Sequence, residues 1–267
     1  MKKAKQTLAL VGVILLIVLC VGTLIAAIVA PASTLFKVGI GSCIALPVML
    51  YAFMLVLNAA KPKKSNLIDA IIFDVGNVLV DWDWRGHMER LGFDEKTIEY
   101  LGKNMIGNPL WNEFDRGSRP HKEILDELCR QHPAYKTQIR TFLDTMSGAI
   151  IARNYTKVWL SDLKQKGYEL YVLSNWPEPL YEQEKDNKLS FRKYMDGCIW
   201  SCHAKCVKPE AKIYQKLIKK YNLDPKRCVF LDDRQENLDA AAKFGMYTIL
   251  AADHTYAVQQ LKTLGIK

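Results

Sequence analysis

The chain has 267 residues, a net charge of +9 and seven cysteines. That length allows one or two globular domains with additional segments. No aromatic-interleaved basic motif of an RNA or DNA binder occurs, so nucleic acid is excluded as a partner, and the positive charge suits anionic lipid headgroups or a phosphorylated substrate.

The apolar content is concentrated at the N-terminus. Neither Leu8–Ala30 nor Val38–Leu57 contains a charged residue, and each run is long enough to cross a bilayer as a helix. The link Pro31–Lys37 is short, which predicts a hairpin of two transmembrane helices; membrane helices tolerate a kink such as Pro47 would introduce. Lys2, Lys3 and Lys5 precede the first span, and Lys61, Lys63 and Lys64 follow the second. The connecting loop carries only Lys37. The positive-inside rule puts both ends, and hence everything after residue 64, in the cytoplasm. A cleaved signal peptide ending at Ala30-Pro31-Ala32 is the rival reading, disfavoured by its overlong apolar stretch. A soluble pair of helices apolar on every face is harder still to place.

After residue 64 the pattern alternates strands and helices. Ala70–Phe73, Glu169–Leu173, Gly197–Trp200, Cys228–Leu231 and Tyr247–Leu250 read as strands. Tyr155–Lys166, Pro209–Tyr221, Arg234–Phe244 and Tyr256–Leu264 read as helices, with Pro209 in a first turn and Gly245 as a C-cap. This alternation predicts an α/β fold, a Rossmann-like parallel sheet with helices on both faces. Residues 84–153 have helical periodicity instead: Trp84–Leu91, Glu95–Gly102, Pro120–Gln131 and Tyr135–Met146. They form a helical cap insertion placed over the carboxyl edge of the sheet. The expected organisation is residues 1–64 as membrane hairpin and linker, 65–83 and 154–267 as catalytic core, and 84–153 as cap. Trp82, Trp84 and Trp111 are expected to pack within the cap. Cys198, Cys202 and Cys206 do not have a zinc-site spacing and read as structural thiols.

Chemistry-bearing residues recur where these strands end. Asp74 follows the first, Ser174 and Asn175 the second, and Asp232 and Asp233 the fourth. Lys208 precedes the helix after the third. A parallel sheet brings all of them to one edge, where open α/β sheets bind ligands. The set suits phosphoryl transfer. Asp74 attacks phosphorus, Mg2+ takes Asp74, a nearby backbone carbonyl and Asp233 as ligands, Lys208 neutralises the phosphoryl oxygens and Ser174 donates a hydrogen bond to them. Ser174 also fits a helix N-cap, and the Asp232-Asp233 pair fits the start of the Arg234 helix.

The runs Phe73–Leu79, Val172–Asn175, Val207–Tyr214 and Phe230–Asn237 resemble, in order and spacing, the four motifs of the haloacid dehalogenase superfamily. The resemblance spans residues 71–253 and is greatest to the branch of sugar-phosphate phosphatases and the N-terminal phosphatase domain of soluble epoxide hydrolases. Trp111–Gly117 resembles that branch's helical cap. The resemblance implies Asp74 as nucleophile and Ser174, Asn175 and Lys208 as phosphate contacts. It also implies Mg2+ on Asp74, the Gly76 carbonyl and Asp233, with Asp232 in support. One position departs: Gly76 stands where most family phosphatases carry the aspartate that protonates the leaving group, a contribution of about 10²–10⁴-fold. Asp81 and Asp83 follow closely as substitutes, against the plainer reading of solvated carboxylates.

The expected function is a membrane-anchored, Mg2+-dependent phosphatase acting on a small phosphomonoester. Its rivals are a metal-independent dehalogenase, a phosphomutase, which Gly76 argues against, and a catalytically impaired binding module. Oligomeric state is open.

Overall fold

The computed structural model describes residues 67–266, together with Val21, Thr23, Ile25, Ile28, Val29 and Val48. The chain divides into two units, Met1–Lys64 and Ser65–Lys267. The six described positions of the first unit are helical, and Val21, Ile25, Ile28, Val29 and Val48 are exposed. The two expected membrane spans otherwise lie outside the described residues. Among the described residues no helix is long and apolar enough to cross a membrane.

The second unit is built on a five-stranded sheet of β1 (Ala70–Phe73), β4 (Glu169–Ser174), β5 (Gly197–Trp200), β6 (Cys228–Asp232) and β7 (Tyr247–Leu250). Their order is β5-β4-β1-β6-β7 and every pairing is parallel. The reason is local. β1 is Ala-Ile-Ile-Phe, buried at all four positions, and such a run needs cover on both faces. Ile71 and Phe73 pack into one cluster with Leu170, Val172, Val229 and Leu231. Ala70 and Ile72 pack into the other, with Tyr171, Leu173 and Phe230. Trp159, on the helix Thr156–Gln165, meets Phe73 edge-on at 5.2 Å.

The chain runs outward from β1 to β5, then returns to the other side of β1 for β6 and β7. The crevice of such a sheet lies where the order reverses, at the carboxyl end of β1. Phe73 is in register with Val172 and Leu231, so Asp74 and Asp232 emerge at the same level and Ser174 one residue beyond them.

Two strands escaped the sequence reading. β2 (Val80–Trp82) pairs antiparallel with β3 (Ile150–Ala152), joining the two ends of the helical insertion. Three residues carry too little periodicity to be read from sequence. The insertion contains the helices Trp84–Arg90, Glu95–Leu101, His121–Gln131 and Lys136–Asp144. It also contains one that was not expected, Pro109–Arg116, capped by the Asn108 side chain and ended by Gly117 at φ +64°. Trp82, Trp84 and Trp111 pack against the core, Trp82 and Trp111 with ring centroids 6.1 Å apart.

Two expectations about local structure are corrected. Pro209 is not in a helical first turn: Glu210 is the N-cap residue, which takes the extended backbone usual at that position, and the helix begins at Ala211. Nor is Ser174 a helix cap, since the next helix, Glu178–Glu184, starts behind Pro177.

Candidate active site

Lys208 is the centre of the cluster. Its ammonium lies 2.8 Å from Asp74 Oδ1 and 2.6 Å from Asp232 Oδ2, with all three side chains buried. Burial alone would lower the lysine's pKa, but the Asp232 and Asp74 carboxylates more than reverse this and hold it above its ordinary value. The cation is shared, so neither carboxylate has it to itself. Burial pushes the Asp74 pKa up to about 7, against the pull of Lys208 and with the repulsion of Asp232 and Asp233. Asp74 Oδ1 also accepts from the Val75 N–H at 2.7 Å, which fixes its rotamer at the end of β1.

Asp232 and Asp233, adjacent in sequence, are placed in different roles. Both oxygens of Asp232 are engaged: Oδ2 by Lys208, and Oδ1 by the Arg234 N–H and the Asn237 amide, each at 2.9 Å. Asp233 is half-buried, and its Oδ2 accepts from the Asn77 amide at 2.8 Å. Asn77 occupies the left-handed region at φ 57°, and its Oδ1 takes the Trp82 N–H. It therefore ties the turn after Asp74 to both Asp233 and β2. The ligand oxygens of Asp74, Asp232 and Asp233 fall within 4.8 Å of one another. Hard carboxylate oxygens at this separation fit a small divalent cation such as Mg2+. Asp74 and Asp233 are the carboxylates with capacity to hold it, once Asp232 is committed to Lys208 and Asn237.

Ser174 is buried at the end of β4, its hydroxyl making only a long 3.5 Å contact with the Asn175 carbonyl. The Asn175 side chain is spent elsewhere. Its Oδ1 accepts from the Lys208 N–H at 2.8 Å, and its amide donates to the Lys208 carbonyl at 3.1 Å. That pair of hydrogen bonds positions the lysine backbone.

Both carboxylates expected as substitutes for the missing acid are engaged by other groups. Asp81 is ion-paired with Arg153, at 2.6 Å from its Nε. Asp83 caps the Trp84–Arg90 helix through the Gly86 N–H and pairs with Arg90 at 2.9 Å. Gly76 itself has room: a Cβ there would meet only Trp82 Cβ, at 3.8 Å.

Sequence reasoning missed Asp115. It sits on the Pro109–Arg116 helix, is buried, and interacts electrostatically with Asp74, Lys208 and Arg234. A signal existed. Trp111, Phe114 and Asp115 share one face at i, i+3 and i+4, which puts a carboxyl on an apolar stripe. The cysteine run carries no site: burial pushes Cys198 up to about 11 and Cys202 up to about 12, keeping both as thiols.

The haloacid dehalogenase-like hydrolase family model matches residues 68–245. The chain belongs to that family. A sesquiterpene phosphatase of Aspergillus oryzae is 24% identical to this hydrolase, over 73% of this chain and 95% of the relative. The flavin mononucleotide hydrolase 1 of Arabidopsis thaliana is 26% identical, over 76% and 80% respectively. A longer relative, the rat bifunctional epoxide hydrolase 2, is 30% identical over 65% of this chain, which spans 31% of that protein. Among solved structures, a haloacid dehalogenase family enzyme of Bacteroides thetaiotaomicron, in complex with magnesium and inorganic phosphate, superposes with a TM-score of 0.56. It is 20% identical and covers 72% of this chain and 98% of its own.

Proposed function

We propose that this hydrolase is a Mg2+-dependent phosphatase that cleaves a small phosphomonoester through an aspartyl phosphate on Asp74. The reading is carried by one observation: Lys208 lies 2.8 Å from Asp74 within a buried cluster whose carboxylate oxygens can also hold a divalent cation. A nucleophile and two sources of positive charge at one strand end suit a dianionic substrate. The names of the Aspergillus and Arabidopsis relatives support the phosphomonoester class, and the magnesium and phosphate of the Bacteroides complex support the cofactor.

Asp74, held by the Val75 N–H, presents its free oxygen to phosphorus. Lys208 neutralises charge on the phosphoryl oxygens and keeps its own position through Asn175. Ser174 donates its hydroxyl to a phosphoryl oxygen. Mg2+ on Asp74, Asp233 and the Gly76 carbonyl would supply charge neutralisation between nucleophile and substrate. Asp232 anchors the lysine rather than the metal.

Residues 84–153 serve as the cap in this reading, with 65–83 and 154–267 as the catalytic core. The uncharged runs Leu8–Ala30 and Val38–Leu57, and the exposed apolar residues on the helical positions described within them, support attachment to a membrane. The lysines at both ends support a cytoplasmic catalytic unit. The test is phosphate release by the full-length chain from a panel of sugar phosphates and other phosphomonoesters. The reading expects activity that EDTA abolishes and Asp74→Asn lacks. Equal activity in parent and Asp74→Asn would defeat it, and turnover indifferent to EDTA would favour dehalogenase-type chemistry.

A further inference from the structure

Cleavage of a phosphomonoester leaves an alkoxide unless a proton is delivered, and the carboxyls around the site can be taken in turn. Asp74 is the nucleophile. Asp232 is bonded to Lys208, Arg234 and Asn237. Asp233 is bonded to Asn77 and faces the cation site. Glu210 is forked onto Arg116, Glu236 is paired with Arg234, and Asp81 and Asp83 are held by Arg153 and Arg90. Asp115 remains. It is 7% exposed, and its carboxyl takes no hydrogen bond or ion pair among the described residues.

Its placement is enforced from three sides. The Ser201 hydroxyl donates to the Asp115 carbonyl at 2.6 Å while accepting from the Trp176 N–H at 2.8 Å. Arg116 makes two bonds to Glu210, two residues past Lys208. Lys205 donates to the Gly117 carbonyl at 2.6 Å. The end of this helix is thus clamped to the loops that carry the carboxyl-edge residues. A leaving oxygen departs in line with attack, away from Asp74 and so away from the sheet edge.

We propose that Asp115, reaching in from the helical insertion, is the general acid and base of this hydrolase. The assignment rests on the phosphatase reading above. In the first half-reaction Asp74 Oδ bonds to phosphorus, the bond from phosphorus to the leaving oxygen breaks, and that oxygen takes the Asp115 proton. In the second, the Asp115 carboxylate takes a proton from water. The water oxygen bonds to phosphorus, and the bond from phosphorus to Asp74 breaks. Inorganic phosphate leaves, with Asp74 ionised and Asp115 protonated again. Burial first, and then the Asp74 carboxylate, push the Asp115 pKa up to about 8, against Lys208 and Arg234, so the acid form is present at neutral pH.

The test compares p-nitrophenyl phosphate, whose leaving group departs as an anion, with benzyl phosphate, whose alcohol needs a proton. Asp115→Asn in the full-length chain is expected to lose about 10²–10⁴-fold in benzyl phosphate turnover. With p-nitrophenyl phosphate it is expected to release one nitrophenolate per chain at close to the parent rate, then stall as the Asp74 phosphoester, detected as an added phosphate by mass spectrometry. Asp115→Asn/Gly76→Asp, which puts a carboxyl two residues after the nucleophile, is expected to regain turnover of both esters. A parent chain that hydrolyses neither ester overturns the phosphatase reading and this assignment with it. An active parent whose Asp115→Asn variant loses both esters equally without a burst, or loses neither, overturns this assignment alone. Matching thermal melts of parent and variant separate a chemical loss from an unfolded one.

Discussion

Arg116 of the helical insertion and Glu210 of the sheet unit form a two-bond ion pair, with Nη1–Oε2 at 2.9 Å and Nη2–Oε1 at 2.6 Å. One partner follows Asp115 and the other lies two residues past Lys208, so the pair sets the spacing between insertion and sheet edge. The fork fits a guanidinium and not an ammonium. Arg116→Ala is expected to cost only about 0.5–1 kcal/mol in urea unfolding, because Glu210 is partly exposed and screened. KM for p-nitrophenyl phosphate should rise more than kcat falls, and Arg116→Lys should recover little of the loss. An Arg116→Ala variant with unchanged kinetics would remove the pair from any role in setting the site.

Removing Lys208 leaves two buried carboxylates facing each other. Lys208→Met is expected to destabilise the fold by about 3–5 kcal/mol near neutral pH. Asp74 is already held above its ordinary carboxylate value, and loss of the Lys208 charge that pulls it down raises it further. A carboxylate so shifted leaves stability intact below the unfolded pKa and loses it as pH rises. The deficit should therefore shrink as the pH is lowered toward the ordinary carboxylate range, a trend that guanidinium titrations at several pH values will check.

Mg2+ bound to the native state stabilises it by mass action, about 2.7 kcal/mol at a hundredfold excess over Kd. The melting temperature of the parent should rise with added Mg2+ and fall back with EDTA. Asp233→Asn should abolish this response. Asp115→Asn should retain it, because Asp115 is outside the carboxylate cluster.

The acid role of Asp115 has a pH signature. A group that must be protonated for the first half-reaction loses activity as pH rises through its pKa, here pushed up to about 8. The kcat of the parent for benzyl phosphate should fall on the alkaline side of that value. The residual activity of Asp115→Asn should lack that limb.

At the other edge of the sheet, a methyl on Gly197 would lie 2.2 Å from Tyr221 Cζ. The Tyr221 hydroxyl accepts from the Cys198 N–H at 2.9 Å and donates to the Cys198 carbonyl at 3.0 Å. Gly197→Ala is expected to displace the ring, break both bonds and cost about 1–3 kcal/mol, read as a lower urea midpoint with kinetics nearly unchanged.

The sequence by itself determined the sheet and its chemistry-bearing edge. Short, wholly apolar runs such as Ala70–Phe73 and Cys228–Leu231 must be buried on both faces, and parallel pairing then brings the residues that follow them to one level. Asp74, Ser174 and Asp232 could be placed from that rule alone. The tertiary structure decided what each one does. That Asp232 holds Lys208 while Asp233 faces the cation site depends on partners 24 and 156 residues away. That Asn175 grips the Lys208 backbone and that Asp81 belongs to Arg153 rest on contacts 33 and 72 residues apart in the chain, and the burial of Asp115 within electrostatic reach of Asp74 joins residues likewise distant in sequence. Periodicity reports which face of an element is buried. It carries no record of which distant side chain meets that face, because the meeting is set by how the insertion docks on the sheet.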